Sequence, residues 1–310
     1  MTHSRRDVRD VLRRTVLFTP SRLATRLQVD LAIATETFQH TGSFKFRAAY
    51  NLAAQVEADT ILTASSGNFG QALAYACRLL NKRAIVVMPH TSARVKVEAV
   101  KEHGAVVELV DVNVKSRAER VTELARANPE AFVASAYDDP RVIAGNATLG
   151  EELSTLGFDT VVVPVGGGGL SSGVVRGLRE SGNTDTRVVG AEPLLGNDAA
   201  RSLRAGRIVR NETEPRTIAD GARTLSLGGH NWAILERGIE TIVEVPENLI
   251  SEAVRLLFEL ANLKAEPTGA LSIGALLTEP ERFRAGRICC VVSGGNVDPD
   301  VYRQILAREL

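Results

Sequence analysis

The sequence predicts an α/β protein in which parallel-rich sheets are flanked by helices. Two observations lead to this class: short, nearly continuous apolar runs recur along the chain, and helical patterns separate them. Runs of this kind are typical of strands that are buried on both faces of a parallel sheet. The predicted strands span residues 31–35, 84–88, 105–110, 160–165, 187–191 and 287–292, and the helical patterns span residues 46–56, 71–80, 174–180 and 251–263.

The length of the chain predicts two lobes. At 310 residues it exceeds the size at which one hydrophobic core is the usual arrangement, and a cleft between lobes then offers a ligand site. The βα units change character near residues 50–60 and again near residue 140. We therefore expect a large domain formed by residues 1–50 and 140–310, and a small domain formed by residues 51–139.

Composition excludes several classes of partner. The 37 basic and 37 acidic residues cancel, which removes the electrostatic reason to propose nucleic acid or an anionic membrane. No window reaches the roughly 20 apolar residues of a membrane-spanning helix, and the N-terminus leads into no apolar stretch. Cys77, Cys289 and Cys290 have neither disulfide nor zinc-site spacing, so we expect buried thiols. These features indicate a soluble, cytoplasmic protein with a small-molecule partner.

A lysine opens the first helical pattern. The segment Thr41-Gly42-Ser43-Phe44-Lys45-Phe46-Arg47 follows the predicted strand 31–35, and Thr41 or Ser43 can cap the helix that comes next. The positive end of the helix dipole lowers the pKa of an amine at this position, which favours the neutral nucleophile that forms an imine. Lys45 is therefore the candidate nucleophile, although an ordinary surface lysine also fits the segment taken alone.

A turn after the next strand is suited to an anion. The segment Ala64-Ser65-Ser66-Gly67-Asn68-Phe69-Gly70-Gln71 ends that strand, and a helix is predicted from Ala72. Backbone N–H groups at a helix N-terminus can bind a substrate carboxylate without a cationic side chain. Ser-Ser-Gly-Asn is equally a common capping and turn composition, so the segment alone leaves both interpretations open.

Consecutive glycines indicate a phosphate site. The segment Val165-Gly166-Gly167-Gly168-Gly169-Leu170-Ser171-Ser172-Gly173 lies between a predicted strand and a predicted helix. Glycines let the backbone approach a phosphate closely, and the helix dipole favours the anion. A dinucleotide-binding fold is the alternative, because Glu192 ends the next strand where an acid would bind a ribose. In a G-x-G-x-x-G frame begun at either of the first two glycines, however, Ser171 or Ser172 replaces the third glycine.

A serine follows the last predicted strand. In Val291-Val292-Ser293-Gly294-Gly295-Asn296-Val297-Asp298, Ser293 lies at the carboxyl end of an apolar run, the edge of an α/β sheet where ligands bind. A neutral hydroxyl at this edge can hydrogen-bond a pyridine nitrogen without protonating it. A plain strand-to-loop turn explains the glycines as well, but it predicts nothing about the other segments.

Taken together and in this order, the four segments resemble the fold-type-II enzymes that depend on pyridoxal 5'-phosphate (PLP), whose fold is like that of the tryptophan synthase β chain. The resemblance is to the branch that holds serine and threonine dehydratases, serine racemase and 3-hydroxyaspartate dehydratase. It implies that the large domain binds PLP, and by analogy it implies a homodimer. Because Leu310 follows the Ser293 segment closely, we expect no regulatory domain of the biosynthetic threonine dehydratase kind.

The resemblance also implies a role for each segment. Lys45 would hold PLP as an imine and then remove the α-proton of the substrate, and Ser66 would act as acid or base on the opposite face, as in the racemases. Asn68 would hydrogen-bond the phenolic oxygen of the cofactor, and Ser293 would face the pyridine nitrogen. The remaining implied contacts are those of Phe44 with the cofactor ring, of Ser65, Ser66, Gly67, Asn68 and Phe69 with the substrate carboxylate, and of Gly166, Gly167, Gly168, Gly169 and Leu170 with the phosphate.

A candidate cation site comes from the same resemblance. The segment Glu192-Pro193-Leu194-Leu195-Gly196-Asn197-Asp198 matches the one that binds a divalent cation in the racemase-like members. The ligands would be Glu192, Asp198 and the carbonyl of Gly196, and oxygen ligands of this kind suit Mg²⁺ or Ca²⁺. Glu192 and Asp198 can equally be solvated loop acids.

The implied activity is that of an ammonia-lyase, which converts a β-hydroxy-α-amino acid of the serine, threonine or 3-hydroxyaspartate type to a 2-oxo acid and ammonia. Racemisation through Ser66 is the alternative, and a β-replacement synthase or a non-catalytic binding module agrees less well with the motifs. Two departures from the family pattern affect the substrate: Phe69 stands where many relatives have histidine, and Tyr137 stands where animal serine racemases have asparagine.

Overall fold

The computed structural model of the protein describes residues 7–65, 67–92 and 94–310. Within these ranges the strands form one sheet of six strands and one sheet of four. The strands are β1 (Val16–Phe18), β2 (Asp30–Thr35), β3 (Thr60–Ala64), β4 (Arg83–Pro89), β5 (Val106–Val110), β6 (Phe132–Val133), β7 (Thr160–Pro164), β8 (Arg187–Pro193), β9 (Thr241–Val245) and β10 (Arg287–Val292).

Helices cover the faces of both sheets, and none of those in the described ranges is long and apolar enough to cross a membrane. They are α1 (Val8–Val11), α2 (Ser21–Leu27), α3 (Lys45–Gln55), α4 (Asn68–Leu79), α5 (Arg94–Glu102), α6 (Arg117–Ala127), α7 (Pro140–Leu153), α8 (Gly169–Glu180), α9 (Asp198–Ala205), α10 (Gly229–Gly238), α11 (Glu247–Ala261), α12 (Pro267–Thr278) and α13 (Pro299–Leu306).

The larger sheet joins segments from both halves of the chain. Its strand order is β1-β2-β10-β7-β8-β9, with parallel pairing throughout except for the antiparallel edge strand β1. Apolar side chains pack on both of its faces: Ile33, Val162 and Cys290 belong to one core cluster, and Val161 and Cys289 belong to another. Burial on both faces explains why these strands are continuous apolar runs rather than alternating ones.

The smaller sheet has the order β5-β4-β3-β6, with parallel pairs. Its core cluster is shared with α3 and α4, which contribute Phe46 and Phe69. The predicted α/β class with parallel-rich sheets is therefore confirmed, and the predicted thiols at Cys77, Cys289 and Cys290 are buried. The domain limits given above stay a prediction.

Two helices begin earlier than the sequence predicts. The starts of α4 at Asn68 and α8 at Gly169 place residues that the sequence predicts in turns inside the first helical turn. In α8 the small residues permit close packing on α7, because a Cβ at Gly177 would lie 2.0 Å from the carbonyl oxygen of Ala147. A glycine at this position therefore permits the close approach of the two helices.

The predicted cap of α3 is wrong. Phe44 precedes the first helical residue, and no side chain in the described part of the chain caps this helix. The hydroxyls of Thr41 and Ser43 are instead buried without a partner among the described residues. Because buried hydroxyls are normally hydrogen-bonded, these two atoms are candidates for contact with a bound group.

Candidate active site

The lysine and serine segments lie side by side, although they are far apart in the chain. Strands β2 and β10 are paired neighbours, so the turns that follow them meet at the same edge of the sheet. Ser43 forms an isolated antiparallel bridge with Gly294, and the N–H of Phe44 donates to the carbonyl of Ser293 at 3.0 Å. Backbone contacts thus bring Lys45 next to Ser293.

The amine of Lys45 is held in apolar surroundings. Its Nζ donates to the carbonyl oxygen of Ala136 at 3.1 Å, and it lies 4.9 Å from the ring centroid of Phe44 and 5.9 Å from that of Phe69. Burial lowers the pKa of Lys45 to about 8, although attraction by Glu266 opposes this change. Burial, rather than the helix dipole expected from the sequence, is therefore the main cause of the lowered pKa.

The asparagine turn connects α4 to the other segments. Ser65 Oγ accepts the N–H of Gly70 at 3.1 Å, which fixes the turn. Asn68 donates to Glu266 Oε1 at 2.8 Å and accepts from Asn296 Nδ2 at 2.9 Å. The amide of Asn68 therefore has a fixed orientation. Ser66, the predicted acid or base, lies outside the described residues.

Sequence reasoning missed Glu266. This residue immediately precedes α12 and is only 4% exposed. Burial, followed by repulsion from Asp220, raises its pKa to about 8, whereas the hydrogen bond from Asn68 opposes the rise. A Cβ at position 294 would lie 2.5 Å from Glu266 Oε1, which explains why a glycine occupies this position. The sequence contains one signal that could have indicated Glu266: it is an acid directly before Pro267 and before an otherwise apolar helix.

The glycine loop offers backbone without side chains. Gly168 has a φ of +95°, a conformation that side chains disfavour, and α8 begins directly after it without a side-chain cap. A Cβ at Gly167 would lie 2.3 Å from the ring of Tyr137. Two hydrogen bonds from Asn231 stabilise the loop. Its Nδ2 donates to the carbonyl of Gly167 at 2.8 Å, and its Oδ1 accepts from Ser172 Oγ at 2.7 Å.

The described geometry fits the phosphate and ring of PLP. The first N–H groups of α8 have no intrahelical acceptors, which is the arrangement that binds phosphate at a helix N-terminus. The loop also lies against Tyr137, the neighbour of the carbonyl that Lys45 contacts. Lys45 and Ser293, together with the unpartnered hydroxyl of Ser43, provide polar groups for the rest of the cofactor. The roles of individual residues stay predictions.

The predicted cation ligands lie together at the start of α9. Both oxygens of Glu192 accept backbone N–H groups, from Ala199 at 3.2 Å and from Ala200 at 2.6 Å. Asp198 Oδ1 accepts from Asn211 at 2.9 Å, whereas Oδ2 is buried without a partner among the described residues. Burial raises the pKa of Glu192 and that of Asp198, the latter to about 6.

This carboxylate pair is compatible with a divalent cation, which would satisfy the free oxygen of Asp198 and offset the burial of both acids. Gly196, whose carbonyl is the third predicted ligand, is buried in the short turn between them. No group of three or more His, Cys, Asp or Glu side chains suited to a metal occurs in the described ranges. The predicted ligand set contains only two such side chains, those of Glu192 and Asp198, because Gly196 would bind through its carbonyl.

Fold and site together define an α/β protein with a glycine loop at a helix N-terminus and polar groups that fit a phosphorylated aromatic cofactor. Residues 8–294 match the family model of the pyridoxal-phosphate dependent enzymes. The chain therefore belongs to this family, as the resemblance implied, and PLP is the family's cofactor.

Curated relatives narrow the comparison to one branch. The chain is 36% identical over 299 residues to the L-threo-3-hydroxyaspartate ammonia-lyase of a Pseudomonas species, an alignment that covers 94% of this chain and 93% of the relative. It is 35% identical over 313 residues to the serine racemase of Homo sapiens, with coverage of 94% and 88%. Both lyases and racemases are thus similar to this chain.

Solved structures agree with the fold. The threonine deaminase of T.th. superposes with a TM-score of 0.88 at 38% identity, covering 94% of this chain and 95% of that one. Maize serine racemase superposes with a TM-score of 0.90 at 28% identity, covering 97% and 94%. The predicted fold-type-II architecture is confirmed by these matches.

Proposed function

We propose that this protein is a PLP-dependent ammonia-lyase that converts a β-hydroxy-α-amino acid of the serine, threonine or 3-hydroxyaspartate type to a 2-oxo acid and ammonia. The observation that carries the proposal is the buried amine of Lys45, which lies 4.9 and 5.9 Å from the ring centroids of Phe44 and Phe69 and has a pKa lowered to about 8. An amine with this pKa is neutral often enough near pH 7 to serve as a base. Ammonia-lyases among the relatives support the reaction type.

Each residue group has a distinct task in this reaction. PLP, when bound, supplies a conjugated system that stabilises negative charge on the α-carbon of the substrate. Lys45 removes the α-proton and holds it at Nζ. The turn of residues 65–69 binds the substrate carboxylate, and residues 166–170 bind the phosphate. Ser293 offers a neutral hydroxyl to the ring nitrogen, which favours departure of the β-hydroxyl as the α-proton leaves. The proton held at Nζ leaves with the hydroxyl as water, and hydrolysis of the released enamine gives the 2-oxo acid and ammonia.

Racemisation is the second candidate, because serine racemases are also close in sequence to this chain. It requires an acid or base on the face opposite Lys45, and Ser66 is the residue proposed for that task. Ser66→Ala should suppress racemisation more strongly than elimination from the L-substrate. Equal loss of both activities, measured by chiral chromatography and 2-oxo acid release, would contradict the facial assignment.

Three further properties belong to the same proposal, and two of them, the dimer and the cation, are proposed by analogy with the family. We expect a homodimer, a cytoplasmic location, and binding of Mg²⁺ or another divalent cation at Glu192, Asp198 and the Gly196 carbonyl. The free buried oxygen of Asp198 supports the cation. Light scattering of the purified protein tests the dimer, and thermal unfolding with Mg²⁺ or with a chelator tests the cation.

The deciding experiment measures 2-oxo acid release from a panel of L- and D-β-hydroxy-α-amino acids by the PLP-loaded protein. Mg²⁺ and a chelator are added in parallel series, and Lys45→Ala is the control. Release from at least one panel member that disappears in Lys45→Ala supports the lyase and identifies the preferred side chain. Intact cofactor absorbance without release would refute the lyase and favour racemisation or β-replacement.

A further inference from the structure

Two ion pairs in the described ranges connect helices that pack on the smaller sheet with a loop next to the larger sheet. Lys96 Nζ lies 2.6 Å from a carboxylate oxygen of Asp220, and Arg117 Nη2 lies 3.6 Å from one of Glu214. The cations lie on α5 and α6, whereas both acids lie in the loop between α9 and α10. The two sides of this contact therefore carry opposite charges.

The acid of the shorter pair belongs to a turn that lines the candidate active site. The short 3-10 turn Asp220–Ala222 contacts the start of α12, because the N–H of Gly221 donates to Thr268 Oγ1 at 2.9 Å. It also contacts the glycine loop, since a Cβ at Gly166 would lie 3.1 Å from the carbonyl oxygen of Gly221. Helix α5 is thus connected through one ion pair to a turn that contacts both the predicted phosphate loop and α12.

Polar groups of the site are almost inaccessible to solvent. Ser43 is 0% exposed, Ser293 2% and Glu266 4%. Access of a ligand therefore depends on the contacts between the segments that enclose these groups. The pair of Lys96 and Asp220 is one such contact, and its side chains are 27% and 38% exposed. Because exposed ion pairs are weak, this contact can break and form again while the protein stays folded.

We propose that Lys96 and Asp220 form a latch between the helices of the smaller sheet and the turn that lines the site. The latch keeps the site closed around its bound contents and opens when substrate and product exchange. Both are positioning residues, because they act through the turn rather than on the reacting atoms. The inference goes beyond the proposed reaction, since it requires only that PLP is bound.

The same two charges also act on Glu266. Burial is the main cause of the raised pKa of Glu266, repulsion from Asp220 adds to the rise, and attraction by Lys96 opposes it. Removal of either charge therefore changes the electrostatics of the site as well as the ion pair. An exchange of the two charges separates these effects, because it restores the pair but reverses the sign of each charge.

The test measures quenching of the fluorescence of bound PLP by acrylamide, with the full-length PLP-loaded protein and without substrate. Acrylamide is uncharged, so its approach does not depend on the charge of a variant. The variants are Lys96→Gln, Asp220→Asn and the charge exchange that combines Lys96→Asp with Asp220→Lys. Lys101→Gln is the matched control, because Lys101 lies on the same helix and pairs with Glu98 within that helix.

Each single variant should raise the quenching constant about threefold, equivalent to about 0.7 kcal/mol, which is the size expected of an exposed ion pair. The charge exchange should return the constant to near the wild-type value, and Lys101→Gln should leave it unchanged. High salt should raise quenching in the wild type, since salt screens exposed charges. If the charge exchange does not load PLP, Lys96→Arg keeps the pair and should behave as the wild type.

Wild-type quenching in both single variants would overturn the proposal, as would a charge exchange that loads PLP but stays as accessible as the single variants. With an active substrate, each single variant should raise KM about threefold, because less of the protein is in the closed state. A lower kcat at an unchanged KM would contradict the latch and indicate an effect through Glu266. Absence of 2-oxo acid release by the wild type would count against the proposed reaction, and the quenching measurement would still decide whether the latch controls access.

Discussion

Replacing Glu266 with glutamine should make stability less sensitive to pH. The carboxyl of Glu266 has an ordinary pKa of 4.5, and burial raises the pKa to about 8 in the folded protein. Between these values the folded state binds one proton more than the unfolded state, so stability falls as pH rises through this window. At about 1.4 kcal/mol per pH unit, the loss attributable to Glu266 has an upper limit of about 5 kcal/mol.

Glu266→Gln keeps the shape of the protonated carboxyl and cannot ionise, and its side-chain oxygen can still accept the hydrogen bond from Asn68. The variant should therefore lose less stability than the wild type between pH 5 and 8. Urea unfolding at several pH values in this window measures the difference. Glu259→Gln, which removes an exposed carboxylate from α11, is the control and should follow the wild type. Parallel pH profiles for the wild type and Glu266→Gln would refute the reasoning.

Gly167→Ala should weaken PLP binding at least tenfold, about 1.4 kcal/mol, because the new Cβ would lie 2.3 Å from the ring of Tyr137; unchanged affinity in a cofactor titration would refute the tight fit. Asp198→Asn should abolish the rise in thermal stability that Mg²⁺ gives a binding-competent protein, and an undiminished rise in a melting experiment would exclude Asp198 as a ligand. Arg47→Met should cost about 3–5 kcal/mol in urea unfolding, because it leaves Glu36, which pairs with Arg47 at 2.7 Å, as a buried charge without its partner; a loss below about 1 kcal/mol would contradict this.

Local chemistry made much of this protein predictable. The apolar runs define the strands because both faces of each sheet are covered, and Lys45, the glycine loop and Ser293 lie at strand ends, where an α/β sheet binds ligands. Each of these signals occupies a few consecutive residues. The fold class, the family and the cofactor were therefore predictable from the sequence, and all three are confirmed.

Long-range partners were not predictable in this way. Glu266 is a single acid in an apolar region, and its significance arises from Asn68, 198 residues away. The low pKa of Lys45 likewise arises from burial that the motif around the lysine does not encode. The close approach of α8 to α7 at Gly177 likewise depends on Ala147, which lies in a different segment. In each case the deciding contact joins distant segments, and no pattern within one segment indicates which partner will be present.

The pairing of β2 with β10 has a consequence for how the protein matures. Synthesis produces Lys45 long before the carbonyl of Ser293 that binds the N–H of Phe44 and before the strand that pairs with β2. Until then the lysine lacks the enclosure that lowers its pKa, and an exposed lysine amine is almost wholly protonated at neutral pH. The lowered pKa of Lys45 therefore depends on the assembly of segments that lie far apart in the chain, and the motif around the lysine does not produce it alone.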